Sequence, residues 1–149
     1  MRDEDAACLS AYQSNCSYLA HYPTPPDAHA IVASAVEWAS EKPRINFQFA
    51  VVLASSGDVV GCAGLRQRDY PSGEAEIGVE IDPSYWRRGF AREVLRELIR
   101  FGICNLSIES FWGCTTRSNR PGPSLVEEFG FTKYDEVGDT VRMRLRGEE

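Results

Sequence analysis

The sequence lacks the features that would assign it to a membrane, a nucleic acid or a metal. No apolar run reaches the roughly 20 residues that a membrane-spanning helix needs. The net charge is −6, whereas nucleic-acid-binding domains are normally basic. No Cys and His residues stand at the spacing of a metal site. We therefore expect no membrane partner, no nucleic-acid partner and no bound metal.

The cysteines are odd in number and form no C-x-x-C pair. Free cysteine behaves as a small hydrophobic residue, so we expect the five cysteines to be reduced and mostly packed in the core. Cys62 and Cys114, in predicted strands, are the first candidates for an exception. The acidic start Met1-Arg-Asp-Glu-Asp5 is unlike the charged region of a signal peptide, and these features together predict a cytoplasmic protein.

Length and composition favour a single domain over residues 1–149, with 43% hydrophobic residues available for a core. The spacing of apolar residues predicts the element order α-α-β-β-β-α-β-α-β-β. Asp3 and Asp27 are the expected N-caps of the first two helices. The predicted helices cover residues 3–19, 27–39, 89–105 and 124–129. The predicted strands cover residues 46–53, 59–66, 75–81, 110–116, 131–134 and 140–145. Residues 136–139 form a predicted turn, and residues 147–149 a frayed tail.

The stretch between Ala75 and Leu95 predicts a strand that turns sharply into a helix. Apolar residues alternate up to Ile81, Pro83 ends the strand, and Gly89 precedes a segment with helical spacing. Arginines flank the start of that helix, where the helix dipole disfavours each cation by about 0.3–1 kcal/mol. These arginines are Arg87, Arg88 and Arg92.

A phosphate bound to the free N–H groups of this helix would make the arginines favourable. The pattern therefore indicates a site for a bound polyanion. The alternative is that the arginines are solvated surface residues, partly neutralised by Glu93 or Glu97.

Three blocks of the sequence resemble the Gcn5-related N-acetyltransferase (GNAT) superfamily, and within it the branch that modifies the N-termini of ribosomal proteins. The segment Trp86-Arg-Arg-Gly-Phe-Ala-Arg-Glu-Val94 is similar to the phosphate-binding loop of that branch. The strand Ala75-Glu-Ile-Gly-Val-Glu-Ile-Asp-Pro83 resembles the family strand that ends in proline. Asn119 falls at the position of the family asparagine, and Glu127-Glu-Phe-Gly-Phe131 resembles the segment that follows it. The resemblance covers residues 4 to 146.

The resemblance implies a GNAT fold of the α/β (α+β) class, with a mixed, mostly antiparallel sheet flanked by helices. It also implies transfer of an acetyl group from acetyl-coenzyme A to a primary amine, on a protein N-terminus or a small molecule, by direct attack in a ternary complex. The pantetheine arm would lie along the strand ending at Ile81, with Asn119 on its other side. The residues implied to bind the coenzyme are Ile81, Arg87, Arg88, Gly89, Phe90, Ala91, Arg92 and Asn119. For Asn119 the alternative is a cap of the following helix.

The sequence departs from the family at the expected acids. Gly122 stands where a serine is expected, and Val126 where many members have a tyrosine that protonates the departing thiolate. Glu80 and Glu76, on the face of the strand opposite Ile77, are the candidate bases, although strand carboxylates are often only solvated. Besides the enzyme, a non-catalytic acyl-coenzyme A-binding regulatory module and a structural interaction domain remain alternatives.

A second departure lies at the start of the chain. The family's first strand, which pairs with the one at residues 46–53, has no counterpart before Asp3. An exposed sheet edge is therefore predicted, and a homodimer is one way to cover it. The resemblance places the acceptor pocket between the first two helices, the loop after Leu65 and the last strands. Aromatic residues available to line it are Tyr12, Tyr18, Trp38, Tyr70 and Trp112.

Overall fold

A mixed sheet forms the centre of the computed structural model, which describes residues 1 to 147. The strands are β1 (Asn46–Val52), β2 (Val59–Arg66), β3 (Glu74–Ile81), β4 (Ser110–Thr116), β5 (Thr132–Val137) and β6 (Thr140–Arg146). The helices are α1 (Asp5–Gln13), α2 (Cys16–His21), α3 (Ala28–Ala39), α4 (Phe90–Leu106) and α5 (Pro121–Glu127). The strand order is β1-β2-β3-β4-β6-β5, and only β3 and β4 run parallel within the described chain. The predicted mixed, mostly antiparallel sheet is confirmed.

One face of the sheet carries the larger core. Ile77 on β3 packs there against Leu95 and Leu98, which recur at helical spacing along α4. Partly buried residues of α5 pack against the same core. The α4 helix therefore covers the sheet directly above the strand that leads into it.

The opposite face carries a second core under the N-terminal helices. Leu9 and Tyr12 on α1, together with Val32 on α3, pack against Cys62 on β2. Since β3 side chains alternate, Glu80 points toward these helices while Ile77 points toward α4, as predicted. The N-terminal helices thus reach the carboxylate face of β3.

The parallel pair β3 and β4 separates along its length. Their residues pair only from Glu74↔Ser110 to Glu76↔Trp112. Beyond that point β3 pairs with β2, and β4 pairs with β6. A cleft therefore opens in the sheet between the carboxyl ends of the two strands.

The first predicted helix is wrong in its extent, because the structure divides it into α1 and α2. Asn15 has an extended backbone and its side chain accepts a hydrogen bond from Ser17 N–H, so it caps a new helix. Asp3 is not the N-cap of α1. That position is Glu4, whose side chain makes no capping bond. The second predicted cap, Asp27, is confirmed.

The predicted boundaries near the C-terminus also need correction. The α5 helix begins at Pro121 rather than Ser124, because proline in the first helical turn loses no hydrogen bond. The β5 strand continues to Val137, where it pairs with Thr140, so the turn is only Gly138-Asp139. The sequence predicts a frayed tail for residues 147–149. Gly147 is held instead, because its N–H donates to the Glu109 carbonyl. Residues 148–149 lie outside the described residues.

The expected burial of most cysteines is wrong. Cys62 is buried, whereas the other four are exposed. Those four are Cys8, Cys16, Cys104 and Cys114. All five are free thiols, as predicted.

The β1 strand forms one edge of the sheet, as predicted. No segment of residues 1 to 147 pairs with its outer side. The other edge is β5.

Candidate active-site cleft

The turn before α4 presents a row of free backbone donors. Arg87 and Gly89 both have positive φ, 61° and 85°. The N–H groups from Arg87 to Arg92 find no acceptor within residues 1 to 147. A Cβ at Gly89 would meet nothing within 4 Å, so this side of the turn is open. Such a concave row of N–H groups at a helix N-terminus binds phosphate.

The exposed edge of β3 offers further backbone groups to the cleft. Asp82 N–H donates to the Val60 carbonyl on β2. Because successive residues of a strand point their polar groups to opposite sides, those of Val79 and Ile81 point into the cleft. The Ile81 carbonyl already accepts a bond from Trp86 Nε1 at 2.7 Å. The backbone groups that remain free at this edge are therefore the N–H and C=O of Val79 and the N–H of Ile81.

A cavity of about 450 Å³ joins this edge to the turn. It brings together most of the predicted site residues. Those lining it are Glu80, Ile81, Arg87, Gly89, Phe90, Ala91, Arg92 and Asn119. Glu76 and Arg88 are outside its lining.

The arginines around the turn have different environments. The Arg92 guanidinium makes two hydrogen bonds to the Glu128 carboxylate, at 2.8 and 3.0 Å. The Arg88 guanidinium lies 5.2 Å from the centre of the Tyr85 ring. Arg87 is exposed at the edge of the cleft.

Glu80 is held by three side chains of α1 and α2. Its Oε1 accepts hydrogen bonds from Tyr12 Oη at 2.6 Å and from Gln13 Nε2 at 2.8 Å. Its Oε2 accepts one bond, from Tyr18 Oη at 2.7 Å, and so keeps an acceptor position free. Burial raises the pKa of both tyrosines far above their usual range, and the Glu80 carboxylate adds to the increase. Both hydroxyls therefore stay protonated and donate to Glu80.

Cys62 lies beneath this cluster. Burial, reinforced by the Glu80 charge, raises the pKa of its thiol to about 12. A thiol with so high a pKa is not a nucleophile at neutral pH.

Glu76 has a different partner. Its carboxylate accepts a hydrogen bond from Arg66 at 2.7 Å, and both side chains are about one-third exposed. The two candidate bases are therefore distinct: Glu80 lines the cleft, and Glu76 belongs to an ion pair beside it.

Asn119 connects the far wall of the cleft to α2. Its Nδ2 donates to Tyr22 Oη at 2.6 Å and to Thr115 Oγ1 at 2.8 Å. Its Oδ1 accepts a bond from Gly122 N–H in the first turn of α5 at 3.3 Å, although the N-cap position of that helix is Arg120. The position of Asn119 is compatible with both roles considered from the sequence, contact with the coenzyme and support of the start of the following helix.

Several lining residues were not singled out in the sequence. Tyr22 lies beside Asn119, and His21 packs against Trp86 with ring centres 5.2 Å apart. His21 Nδ1 donates to the Ser118 carbonyl at 2.9 Å, since a carbonyl can only accept. Tyr22 directly follows α2 as its C-cap, four positions after Tyr18, and this spacing was the available signal.

The aromatic residues expected at an acceptor pocket divide into two groups. Tyr12 and Tyr18 contact Glu80. Tyr70 and Trp112 pack against each other, with ring centres 6.4 Å apart, where β4 is still paired with β3. Trp38 is outside the cleft lining.

Residues 1 to 147 contain neither a metal-binding cluster nor a membrane-spanning helix. No group of three or more His, Cys, Asp or Glu side chains in that range could hold a metal ion. None of the helices there is both long and apolar enough to cross a membrane.

The site is thus a cleft between two diverging parallel strands, with a row of N–H groups at its opening that find no acceptor within residues 1 to 147. Residues 1–132 match the family described as acetyltransferase (GNAT) domain. The chain belongs to this family.

Two curated relatives are similar in sequence. The uncharacterized N-acetyltransferase p20 of Bacillus licheniformis is 28% identical over 99 residues, which are 66% of this chain and 56% of that protein. The uncharacterized N-acetyltransferase YoaA of Bacillus subtilis is 30% identical over 76 residues, 51% of this chain and 43% of that protein. The matched region thus spans about half the length of these relatives.

Solved structures share the fold at low sequence identity. The ribosomal-protein-S5-alanine acetyltransferase of Vibrio fischeri has a TM-score of 0.79 at 16% identity, covering 100% of this chain and 91% of that one. The spermidine N-acetyltransferase of Vibrio cholerae, solved with CoA and spermine, has a TM-score of 0.76 at 18% identity, covering 98% and 92%. These similarities establish the common fold.

Proposed function

We propose that this chain transfers an acetyl group from acetyl-coenzyme A to a primary amine by direct attack in a ternary complex. The observation that carries the proposal is the row of free N–H groups from Arg87 to Arg92 at the mouth of the β3–β4 cleft. A pyrophosphate fits this row, because its oxygens need several donors and the α4 dipole favours negative charge. The coenzyme supplies the activated thioester.

The remaining binding groups follow from the same geometry. Gly89, Phe90 and Ala91 offer backbone donors to the phosphates, and Arg87 adds an exposed cation. The polar groups of Val79 and the Ile81 N–H suit an extended amide-containing arm, which would pair with β3 as another strand. Asn119 stands on the opposite side of the cleft.

Glu80 is the base that the geometry favours. It lines the cleft and keeps one acceptor position free on Oε2, whereas Glu76 is paired with Arg66 outside the cleft. In the reaction, the amine nitrogen bonds to the acetyl carbon and the carbon–sulfur electron pair leaves with sulfur. The amine proton passes to Glu80. A base of this kind contributes a rate factor of about 10²–10⁴.

Glu80→Gln should therefore lower kcat by about 10²–10⁴ while acetyl-coenzyme A still binds. The measurements are thiol release across a panel of amines and peptides, and isothermal titration with acetyl-coenzyme A. Glu76→Gln is the comparison. Loss of turnover in that variant, with Glu80→Gln active, would assign the base to Glu76 instead. Absence of coenzyme binding by the wild-type protein at high micromolar concentration would refute the proposed function.

The acceptor class is an amine on a peptide or a small molecule. The structural neighbours named above include enzymes for a ribosomal-protein alanine and for spermidine, and both kinds of amine belong in the panel. Coenzyme binding without turnover on any acceptor would favour the non-catalytic regulatory module.

We further propose that the protein is a homodimer that pairs through β1. The β1 strand carries no charged residue, whereas the opposite edge β5 carries Lys133, Asp135 and Glu136. Charges on an edge strand oppose pairing with another chain, so only β5 is protected in this way. An apolar groove of about 520 Å³ lies beside β1, between Phe49, Val51 and α4. Antiparallel pairing of two β1 strands would close the assembly with two-fold symmetry.

The proposed place of action is the cytoplasm. The free state of all five cysteines supports a reducing compartment, since paired cysteines are typical of oxidising ones.

A further inference from the structure

The amide of Asn119 fixes the direction of two hydroxyl groups on the wall of the cleft opposite Glu80. An amide nitrogen can only donate, so Tyr22 Oη and Thr115 Oγ1 both accept from it, at 2.6 and 2.8 Å. Each hydroxyl therefore keeps its own proton for another acceptor. The two oxygens lie 3.4 Å apart, well beyond the usual O–H···O distance of about 2.7–2.8 Å. At least one proton remains available even if they share a weak bond.

Tyr22 is the member of this pair that lines the cleft. Glu80 lines it from β3, and Tyr18 stands between the two, with its ring centre 5.1 Å from that of Tyr22. The cleft thus has an acceptor, the Glu80 carboxylate, on one wall and a hydroxyl donor on the other. Acyl transfer from a thioester to an amine requires an acceptor for the amine proton and a hydrogen-bond donor for the negatively charged sulfur.

We propose that Tyr22 donates a hydrogen bond to the departing thiolate sulfur, and that Asn119 is the positioning residue that aims its hydroxyl. This inference rests on the proposed function. The carbon–nitrogen bond forms, the carbon–sulfur bond breaks with its electron pair on sulfur, and Glu80 takes the amine proton. Tyr22 keeps its proton. It stabilises the charge on sulfur in place of the family acids that Gly122 and Val126 replace.

Retention of the proton follows from relative acidities. A thiol has a pKa of about 8.5 and a free tyrosine about 10. Burial raises the pKa of Tyr22 further, and the hydrogen bonds with Thr115 and Asn119 offset this only in part. Transfer of the Tyr22 proton to sulfur is therefore uphill, whereas a hydrogen bond to the thiolate is favourable. The tyrosine acts as an electrostatic stabiliser.

The test compares the acidity of bound coenzyme A in the wild-type protein and in Tyr22→Phe. Thiolate ultraviolet absorbance, titrated with pH at saturating coenzyme A, gives the apparent pKa of the bound thiol. We expect it below that of free coenzyme A in the wild type and about one unit higher in Tyr22→Phe. We also expect kcat to fall about 10- to 100-fold with little change in KM for acetyl-coenzyme A. Tyr134→Phe removes an exposed hydroxyl outside the cleft and is the matched control.

Asn119→Asp provides a second, nearly isosteric variant. A carboxylate at this position accepts a hydrogen bond from Tyr22 and withdraws its proton from the cleft. The bound thiol should then titrate at higher pH, as in Tyr22→Phe. An unchanged thiol pKa in Tyr22→Phe, with coenzyme A still bound, would overturn the inference and leave the proposed function standing. If the wild-type protein binds no coenzyme A, the proposed function fails and the inference fails with it.

Discussion

The charged side chains at the cleft differ in whether they are already paired with another side chain of the protein. Arg92 is held by Glu128, and the hydrogen bond from Arg92 is the main reason that the pKa of Glu128 is lowered. The carboxylate is therefore charged at neutral pH. A coenzyme phosphate at the start of α4 would compete with it for the same guanidinium.

Glu128→Gln should therefore raise the affinity for acetyl-coenzyme A by a few-fold at low ionic strength. The gain should shrink at high salt, because exposed charges are screened within about 10 Å at 0.1 M salt. Isothermal titration at two salt concentrations measures both effects. Glu97→Gln is the matched control, since it removes the same charge from another exposed arginine pair on α4, Glu97 with Arg100. Equal affinities of the two variants at low salt would contradict a role for Arg92.

At the scale of elements, the turn into α4 is the part of the site defined by local backbone geometry. Gly89 has a φ of 85°, and Gly57, in the β1–β2 turn, has a φ of 81°. A Cβ on either glycine would meet no atom within 4 Å. Any other residue at either position would therefore have a similarly strained backbone. Only Gly89, however, adjoins the row of free N–H groups.

Alanine at either glycine should lower the free energy of unfolding by about 1–2 kcal/mol, the cost of a left-handed backbone for an L-residue. Urea denaturation measures this loss. Only Gly89→Ala should weaken acetyl-coenzyme A binding, by about tenfold, because it shifts the turn that aligns the donors. Equally tight binding by the two variants would show that the turn does not hold the coenzyme.

The elements themselves follow closely from the sequence. β2 and β4 have the predicted bounds, and α4 starts directly after Gly89. The failures have local causes that propensity did not capture. Asn15 starts a new helix with its own side chain, and Pro121 opens α5 although proline usually indicates a loop.

At the scale of the whole molecule, the two edges of the sheet are unequal. Val52 on β1 is 51% exposed and Val137 on β5 is 62% exposed, so both tolerate a polar substitution. Val52→Lys should convert the proposed dimer to a monomer, because a charged side chain on an edge strand opposes pairing. Val137→Lys, on the other edge, should leave the dimer intact. Sedimentation velocity over a range of concentrations distinguishes the two states, and a wild-type protein that is monomeric throughout would refute the dimer.

The sequence by itself determined the order of the six strands and the glycine-containing turn before α4, because each depends on residues close together along the chain. Only the tertiary structure decided which carboxylate faces the cleft and which hydroxyl stands opposite. Glu80 meets Tyr18 across 62 positions, and Asn119 meets Tyr22 across 97. Alternation along β3 puts Glu76 and Glu80 on the same face, so their separate roles depend on the packing of α1 and α2 and on the divergence of β3 from β4.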